Sequence, residues 1–193
     1  LLRKLNKNKT LYWLLLFFVF LWHKPLLKIY FVLDYREAIL VYSEINDLSP
    51  VLISSIVFAE SRFNSAARSS KGALGLMQIM PSTGRWVANQ IPIENFSRND
   101  LLEPEKNLKI GAWYLAYLHR YFKGNQTMAL AAYNAGHGYV EKWLETRIWD
   151  GDPVKIEKIP FPETKKYLFR INLLQKIYKY LYPEIGTNIS KIQ

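Results

Sequence analysis

The sequence predicts an all-α fold, and three observations carry that prediction. No convincing alternation of apolar and polar residues runs longer than four positions. Apolar residues instead recur at helical spacing, as in Leu108, Ala112, Leu115 and Leu118, and again in Leu168, Ile171, Leu174, Ile177 and Leu181. Start and stop signals bracket such stretches, with Ser49–Pro50 before one and Asn134–Ala135–Gly136 after another.

Taken in order, the chain opens with a basic segment carrying Arg3, Lys4, Lys7 and Lys9, followed by the apolar run LYWLLLFFVFLW, Leu11 to Trp22. Basic then apolar is the order of a signal sequence or signal anchor. The uninterrupted run is shorter than the ~18 residues of a full span. His23, Lys24 and Pro25 follow it, and then LLKIYFVL, where Lys24 or Lys28 can snorkel to an interface. No small-x-small cleavage pattern follows the run, so residues 1–34 are expected to form an uncleaved membrane anchor. The positive-inside rule then puts the N-terminus in the cytoplasm and the rest on the extracytoplasmic side of the cell membrane. A hydrophobic first helix packed on the domain is the alternative.

Residues 35–193 read as one helical domain. Tyr35–Ile45 is the first expected helix. Ser49 as N-cap and Pro50 at the first helical position open a second, running to about Ser61. Ser82 or Thr83 is expected to cap a helix that reaches Ile91. Pro104 opens a long amphipathic helix to about Phe122, Thr127 a short one that stops at Asn134–Ala135–Gly136, and Gly138–Leu144 makes another. Asp150–Pro162 reads as a proline-bearing loop, and Glu163–Leu181 as the last helix.

Half of the 193 residues are hydrophobic and 15% aromatic, which is ample for a packed core. The formal charge of +10 favours a polyanionic neighbour: nucleic acid, an acidic membrane face or an anionic wall polymer. No Walker loop, zinc-finger spacing or RNA-binding aromatic signature is present, so nucleic acid is not the expected partner. The chain has no cysteine, which excludes disulfides, thiolate metal sites and lipid attachment through a cysteine. His23, His119 and His137 are far apart and form no HExxH or paired spacing, so no metal site and no cofactor are expected.

Glu60 is the first candidate for chemistry. On a helix it falls on the same face as Ile53, Ile56 and Val57, at the negative end of the helix dipole. A carboxyl there resists ionising and can serve as a general acid. A frayed helix end that lets the side chain reach water is the other reading. The following stretch, GALGLMQIMPST from Gly72 to Thr83, is itself apolar and must pack. Its single amide, Gln78, then needs partners, from the protein or from a polar ligand. An acid, an amide and packed glycines suit a sugar pocket.

Four segments in order carry a resemblance: Glu60–Ser61, GALGLMQIMPST, AYNAGHGYV from Ala132 to Val140, and IPFPETKKY from Ile159 to Tyr167. Over roughly Ser43 to Tyr182 the chain resembles the catalytic domain of the soluble-type lytic transglycosylases, lysozyme-like enzymes that cleave peptidoglycan. The resemblance implies a single lysozyme-like domain of the goose-lysozyme type. It implies that Glu60 is the lone catalytic acid/base. It implies substrate contacts for Ser61, Gln78, Met80, Tyr133, Asn134, Glu163 and Tyr167. Each of these also has a plain structural role open to it: core for Met80 and Tyr133, a helix stop for Asn134, a first-turn acid for Glu163. One departure is Asn64–Ser65, where the family often has Asn-Pro, and it concerns loop stiffness.

Glycosidases ordinarily use two carboxylates. The implied mechanism uses one, with the substrate supplying the rest. Glu60 protonates the bond between N-acetylmuramic acid and N-acetylglucosamine, and the N-acetyl group steadies the cationic centre. Glu60 then accepts the proton of the muramyl 6-hydroxyl as it closes on C1, leaving a 1,6-anhydromuramyl end. Three other readings compete. One is a goose-type hydrolytic lysozyme with Asp150 or Asp152 holding a water. Another is a non-catalytic glycan-binding module, and the third a membrane-attached nucleic-acid binder.

Overall fold

The computed structural model describes residues 2–186. The side chains of Arg3, Lys4 and Lys7 and the segment 187–193 lie outside the described residues. The chain divides into two compact units, one ending at Leu33 and the other beginning at Asp34.

The first unit is one helix, α1 (Leu2–Tyr30). The sequence reading stops the apolar run at Trp22, yet the helix passes through Pro25 and ends at Tyr30. Pro25 lacks the N–H that would bond one turn back, so a single rung is missing and the helix continues around it. The stretch Leu11–Tyr30 is 20 residues with a mean hydropathy of 1.3 and no buried residue. At 1.5 Å per residue it is about 30 Å long, the thickness of a bilayer's hydrocarbon core.

The second unit is helical, as expected. It contains α2 (Arg36–Ile45), α3 (Pro50–Ser61), α4 (Pro81–Ala88), α5 (Pro104–Tyr121), α6 (Gln126–Ala135), α7 (His137–Glu145) and α8 (Pro162–Leu181). Short 3-10 turns occupy Arg98–Leu102, Pro153–Lys158 and Pro183–Ile185. Among the described residues the only β pairing is two isolated bridges, Arg68 with Leu74 and Leu74 with Ile79.

Helix α3 is the centre of the unit. It packs against α8 and α2, while α5 packs against α2, α4 and α6. Every residue from Val51 to Phe58 is buried, so α3 has no solvent face for most of its length. A helix that is apolar all round belongs in the interior. Ser54 and Ser55 fit there because their hydroxyls donate back to the carbonyls of Pro50 and Val51. Burial eases only at Ala59, Glu60 and Ser61. The expected single apolar face of α3 is therefore a fully buried rod, and Glu60 sits where that rod emerges.

Several boundaries differ from the sequence reading. Helix α4 begins at Pro81 with Met80 as its N-cap, rather than at Ser82 or Thr83, because Pro81 presets the first helical φ. It ends at Ala88, and a turn carries the chain to Ile91. Neither Ser49 nor Met80 makes a side-chain cap bond, whereas the Asn125 side chain accepts from Met128 N at the start of α6. The Asp150–Pro162 loop contains a 3-10 turn, opened by the Asp152 carboxylate accepting from Val154 N at 2.9 Å.

The apolar loop before α4 is held by one buried amide. The Asn107 side chain on α5 accepts from Met77 N at 2.8 Å and donates to Leu74 O at 2.9 Å and Leu101 O at 2.7 Å. A capping box of Ser97 and Asp100 fixes the turn that presents Leu101 O. Gly75 lies against this amide with φ +74°, and a Cβ there would stand 2.0 Å from Leu101 O and 2.3 Å from Asn107 Nδ2. Gly111 similarly leaves room on α5 for the Met77 side chain.

Gly75→Ala combines a backbone clash with an unfavourable φ. It is expected to lower unfolding free energy by about 3 kcal/mol or more, read as a drop in urea midpoint.

Candidate active site

The end of α3 is sharply turned. Arg62 closes the helix at φ 51°, and Phe63 follows at φ 65°, two successive non-glycine residues in the left-handed region. Such conformations persist only where packing enforces them. Phe63 is buried, with its ring 6.4 Å from that of Tyr178 on α8.

Ser61 stitches the helix end to the loop. Its hydroxyl lies 3.1 Å from Val57 O and 2.8 Å from Leu76 O. Tyr133 on α6 reaches the next carbonyl, donating to Met77 O at 2.8 Å. Two adjacent loop carbonyls therefore fix one residue from α3 and one from α6. Gln78 sits at φ 47° and spends its amide nitrogen on the same loop, donating to Gly75 O at 2.9 Å and Ala67 O at 3.3 Å. The unmet needs of Gln78 seen in the sequence are thus largely satisfied by backbone.

The Glu60 carboxyl is raised from 4.5 to about 7. Burial is the main cause. Tyr167 and Arg170 on α8 pull the other way, and the charge of Glu163 adds to the rise. The phenols of Tyr133 and Tyr167 are in turn pushed well up, first by burial and then by the Glu60 charge. The Tyr167 hydroxyl is buried and makes no hydrogen bond of normal length and angle. Its influence on Glu60 favours the carboxylate and opposes the effect of burial. Glu60 is thus electrostatically coupled to two buried phenols, and burial keeps its carboxyl titrating near neutral pH.

Three depressions lie along the neighbouring α6–α7 turn, and Glu60, Tyr133 and Tyr167 are not among their walls. The first, about 390 Å³, is walled by Trp86, Tyr114, Tyr117 and His137 among others. The second, about 370 Å³, shares Gly136 and His137 with it and adds Tyr139 and Lys142. The third, about 350 Å³, shares Ala135 and Tyr139 and reaches Lys71, Asn134, Glu163 and Thr164. Shared walls make them one trough along the α6–α7 turn. The Asn134 side chain accepts from the Thr164 hydroxyl at 2.8 Å, which ties α6 to α8 at its floor. Glu163 and Lys71 are both largely exposed and meet at 3.4 Å.

The structure therefore brings together Glu60, Tyr133 and Tyr167, with Asn134 and Glu163 in the adjoining trough. Ser61 and Gln78 serve the loop, and Met80 is 40% exposed at the start of α4 without lining the trough. Sequence reading missed Asn107, which looks like one more polar residue before the Leu108 stripe. It also missed the aromatic wall. Trp86 lies 4.9 Å from Tyr117 and 5.5 Å from Trp113, and Trp113 stacks on Tyr117 at 5.8 Å. The signal was present as Trp113, Tyr117 and Tyr121 at four-residue spacing on α5. His137, noted in the sequence only for its lack of metal-ligand spacing, walls two of the depressions. Among the described residues no group of three His, Asp or Glu side chains is placed to hold a metal ion.

Two outcomes follow from the Glu60 environment. The folded state binds this proton more tightly than the unfolded chain, so stability falls as pH rises from 4.5 to about 7. Glu60→Gln should be more stable than the parent above pH 7, by roughly 3 kcal/mol at most, with no difference below about pH 4 in urea titrations. Tyr167→Phe removes a group that favours the carboxylate. The pKa of Glu60, followed by carboxyl NMR titration, should therefore rise further, whereas a purely structural phenol would leave it unmoved.

Comparison with known proteins agrees with this layout. Residues 37–153 match the family model described as the transglycosylase SLT domain. The chain is 37% identical over 152 residues to a soluble lytic murein transglycosylase of Salmonella typhimurium, covering 78% of this chain and 24% of that protein. It is 31% identical over 173 residues to a membrane-bound lytic murein transglycosylase C of Edwardsiella ictaluri, covering 75% of this chain and 46% of that protein. The crystal structure of the 70 kDa soluble lytic transglycosylase of Escherichia coli superposes with a TM-score of 0.75 at 34% identity, over 84% of this chain and 27% of that one. The chain thus spans about a quarter of the length of the soluble relatives. With a carboxyl raised by burial at the end of a central helix, a lysozyme-like helical scaffold, and a family match across most of its second unit, the chain belongs to the transglycosylase SLT domain family.

Proposed function

We propose that this protein is a membrane-anchored peptidoglycan lytic transglycosylase that cleaves between N-acetylmuramic acid and N-acetylglucosamine and leaves 1,6-anhydromuramyl ends. The observation that carries the chemistry is Glu60, a carboxyl raised to about 7 and flanked by Tyr133 and Tyr167. A group titrating near neutrality is matched to give a proton and then take one back. Bound glycan lies in the trough. The protonated Glu60 donates to the glycosidic oxygen as the C1–O bond breaks. The sugar N-acetyl group stabilises C1, with Tyr133, Asn134 and Glu163 orienting it. Glu60, now a carboxylate, removes the proton from the 6-hydroxyl as its oxygen bonds to C1. The attacking group belongs to the bound sugar, so proximity supplies much of the rate and no water is consumed.

The goose-type hydrolytic reading needs a second carboxylate to hold a water. Asp150 and Asp152 are committed elsewhere, pairing with Lys155 at 2.7 Å and 3.2 Å. Glu163 is the carboxylate whose charge is felt at Glu60. The trough and its aromatic wall suit sugar faces, and the +10 charge suits an anionic wall polymer.

The anchor reading rests on α1, whose Leu11–Tyr30 stretch is long and apolar enough to cross a bilayer. The membrane-bound name of one relative is in keeping with it. Lys9 ahead of the stretch fits an N-terminus left in the cytoplasm, with residues 35–193 as the extracytoplasmic catalytic domain.

Mass spectrometry of purified peptidoglycan digested by the detergent-solubilised chain tests the chemistry. Anhydromuramyl products, one water lighter than reducing ends, are expected from the parent and absent with Glu60→Gln. Reducing ends in their place would establish the hydrolytic reading. Binding without cleavage by either protein would leave a glycan-binding module.

A further inference from the structure

Helix α8 buries one face in the unit through Tyr167, Leu168, Ile171, Leu174 and Tyr178. A helix placed in this way normally shows water a polar opposite face. This one does not. Phe169 is 66% exposed, Leu173 48% and Tyr180 48%. At about 100° per residue the three fall within about 40° of each other, on the side away from Tyr167 and the Glu60 pocket. Single exposed apolar residues are ordinary, but an aligned set of three on one helix is a surface built for contact.

The charges beside the stripe have one sign. Lys166 and Lys176 border it and are exposed. Across Pro162–Leu181 there are five basic residues, Lys165, Lys166, Arg170, Lys176 and Lys179, and one acid, Glu163, at the trough end. Apolar and aromatic side chains flanked by lysines are the composition of a helix that lies in the headgroup region of an anionic bilayer.

Position along the chain points to the same occupant. The phenols of Tyr178 and Tyr182 are pushed up chiefly by burial, and Asp34 adds to both, so the C-terminal end of α8 lies close to the first residue of its unit. Only residues 31–35 separate α1 from α2, a covalent reach under ~20 Å. If α1 spans a membrane, the unit carrying α8 is tethered within that reach of its surface.

We propose that the Phe169–Leu173–Tyr180 face of α8, with Lys166 and Lys176, is a docking surface for anionic lipid headgroups. It rests on the anchored reading of α1 for its proximity to lipid. Its chemistry stands on α8 alone. Docking on this face leaves Tyr167, about 140° around the helix, and the Glu60 it acts on turned to another side.

The absence of cysteine makes the test clean. The full chain carrying Leu173→Cys is labelled with a polarity-sensitive NBD dye and reconstituted in phosphatidylcholine vesicles containing a one-third share of phosphatidylglycerol. The dye emission should shift to the blue and be quenched by nitroxide-labelled lipid. The same dye on Gln126→Cys, at the exposed start of α6, should show neither effect. Replacing phosphatidylglycerol by phosphatidylcholine, or introducing Lys166→Gln with Lys176→Gln, should lower the docked-to-undocked ratio by about tenfold. A dye at position 173 that stays water-like on anionic vesicles overturns the proposal. So does a blue shift that ignores lipid charge and grows with protein density, which would mark a contact between copies of the chain. Alkaline extraction reports separately on whether α1 is inserted. If it is not, lipid quenching on vesicles simply added to the protein still reads the α8 contact.

Discussion

The site depends on a single buried amide. Asn107 satisfies one N–H and two carbonyls of chain segments that have no regular partner of their own. A loop this apolar could not otherwise be buried, because each unpaired backbone group would cost about 1–3 kcal/mol. Once held, the loop offers the carbonyls of Leu76 and Met77 to Ser61 and Tyr133. Those two bonds set the end of α3 and the face of α6 on which Glu60 depends. Asn107 touches nothing in the trough, yet it fixes the frame in which the acid and its phenols meet.

That frame holds Glu60 in an unfavourable place. The carboxyl resists ionising because α3 is buried almost to its last turn and because Glu163 adds a like charge. Tyr167 and Arg170 oppose this and stop the shift near neutrality. The balance matters more than either part. Burial alone would lock the proton on, and full solvation would leave a spectator carboxylate. A site tuned in this way lowers stability at neutral pH, a cost that proteins commonly bear at catalytic centres.

Helix α8 does work on both of its sides. Its inward side supplies Tyr167 and packs on α3, and its first turn places Glu163 and Thr164 at the trough. Its outward side carries an apolar, basic stripe that the core does not need. The aromatic cluster of α4 and α5 puts Trp86 and Tyr117 in the trough wall and backs them with Trp113, stacked on Tyr117.

By itself the sequence determined the helical class, the positions of most helices to within a few residues, and Glu60 as the acid to examine. These are local matters. Helical spacing, a proline at a first turn and a glycine after a last one act within a few residues. Four ordered motifs also made the family legible. The sequence did not reveal that α3 is buried all round, that α1 runs on through Pro25, or that Met80 caps α4. Nor did it separate Gln78 and Ser61, bonded to the loop, from Tyr133 and Tyr167, set beside the acid. Asn107 and Trp86 were invisible as site-builders. Their roles come from pairing residues that are tens of positions apart, such as Asn107 with Met77 and Tyr133 with Glu60. Only the tertiary structure decides such pairings, because desolvation and hydrogen-bond satisfaction depend on everything that closes around a group in space.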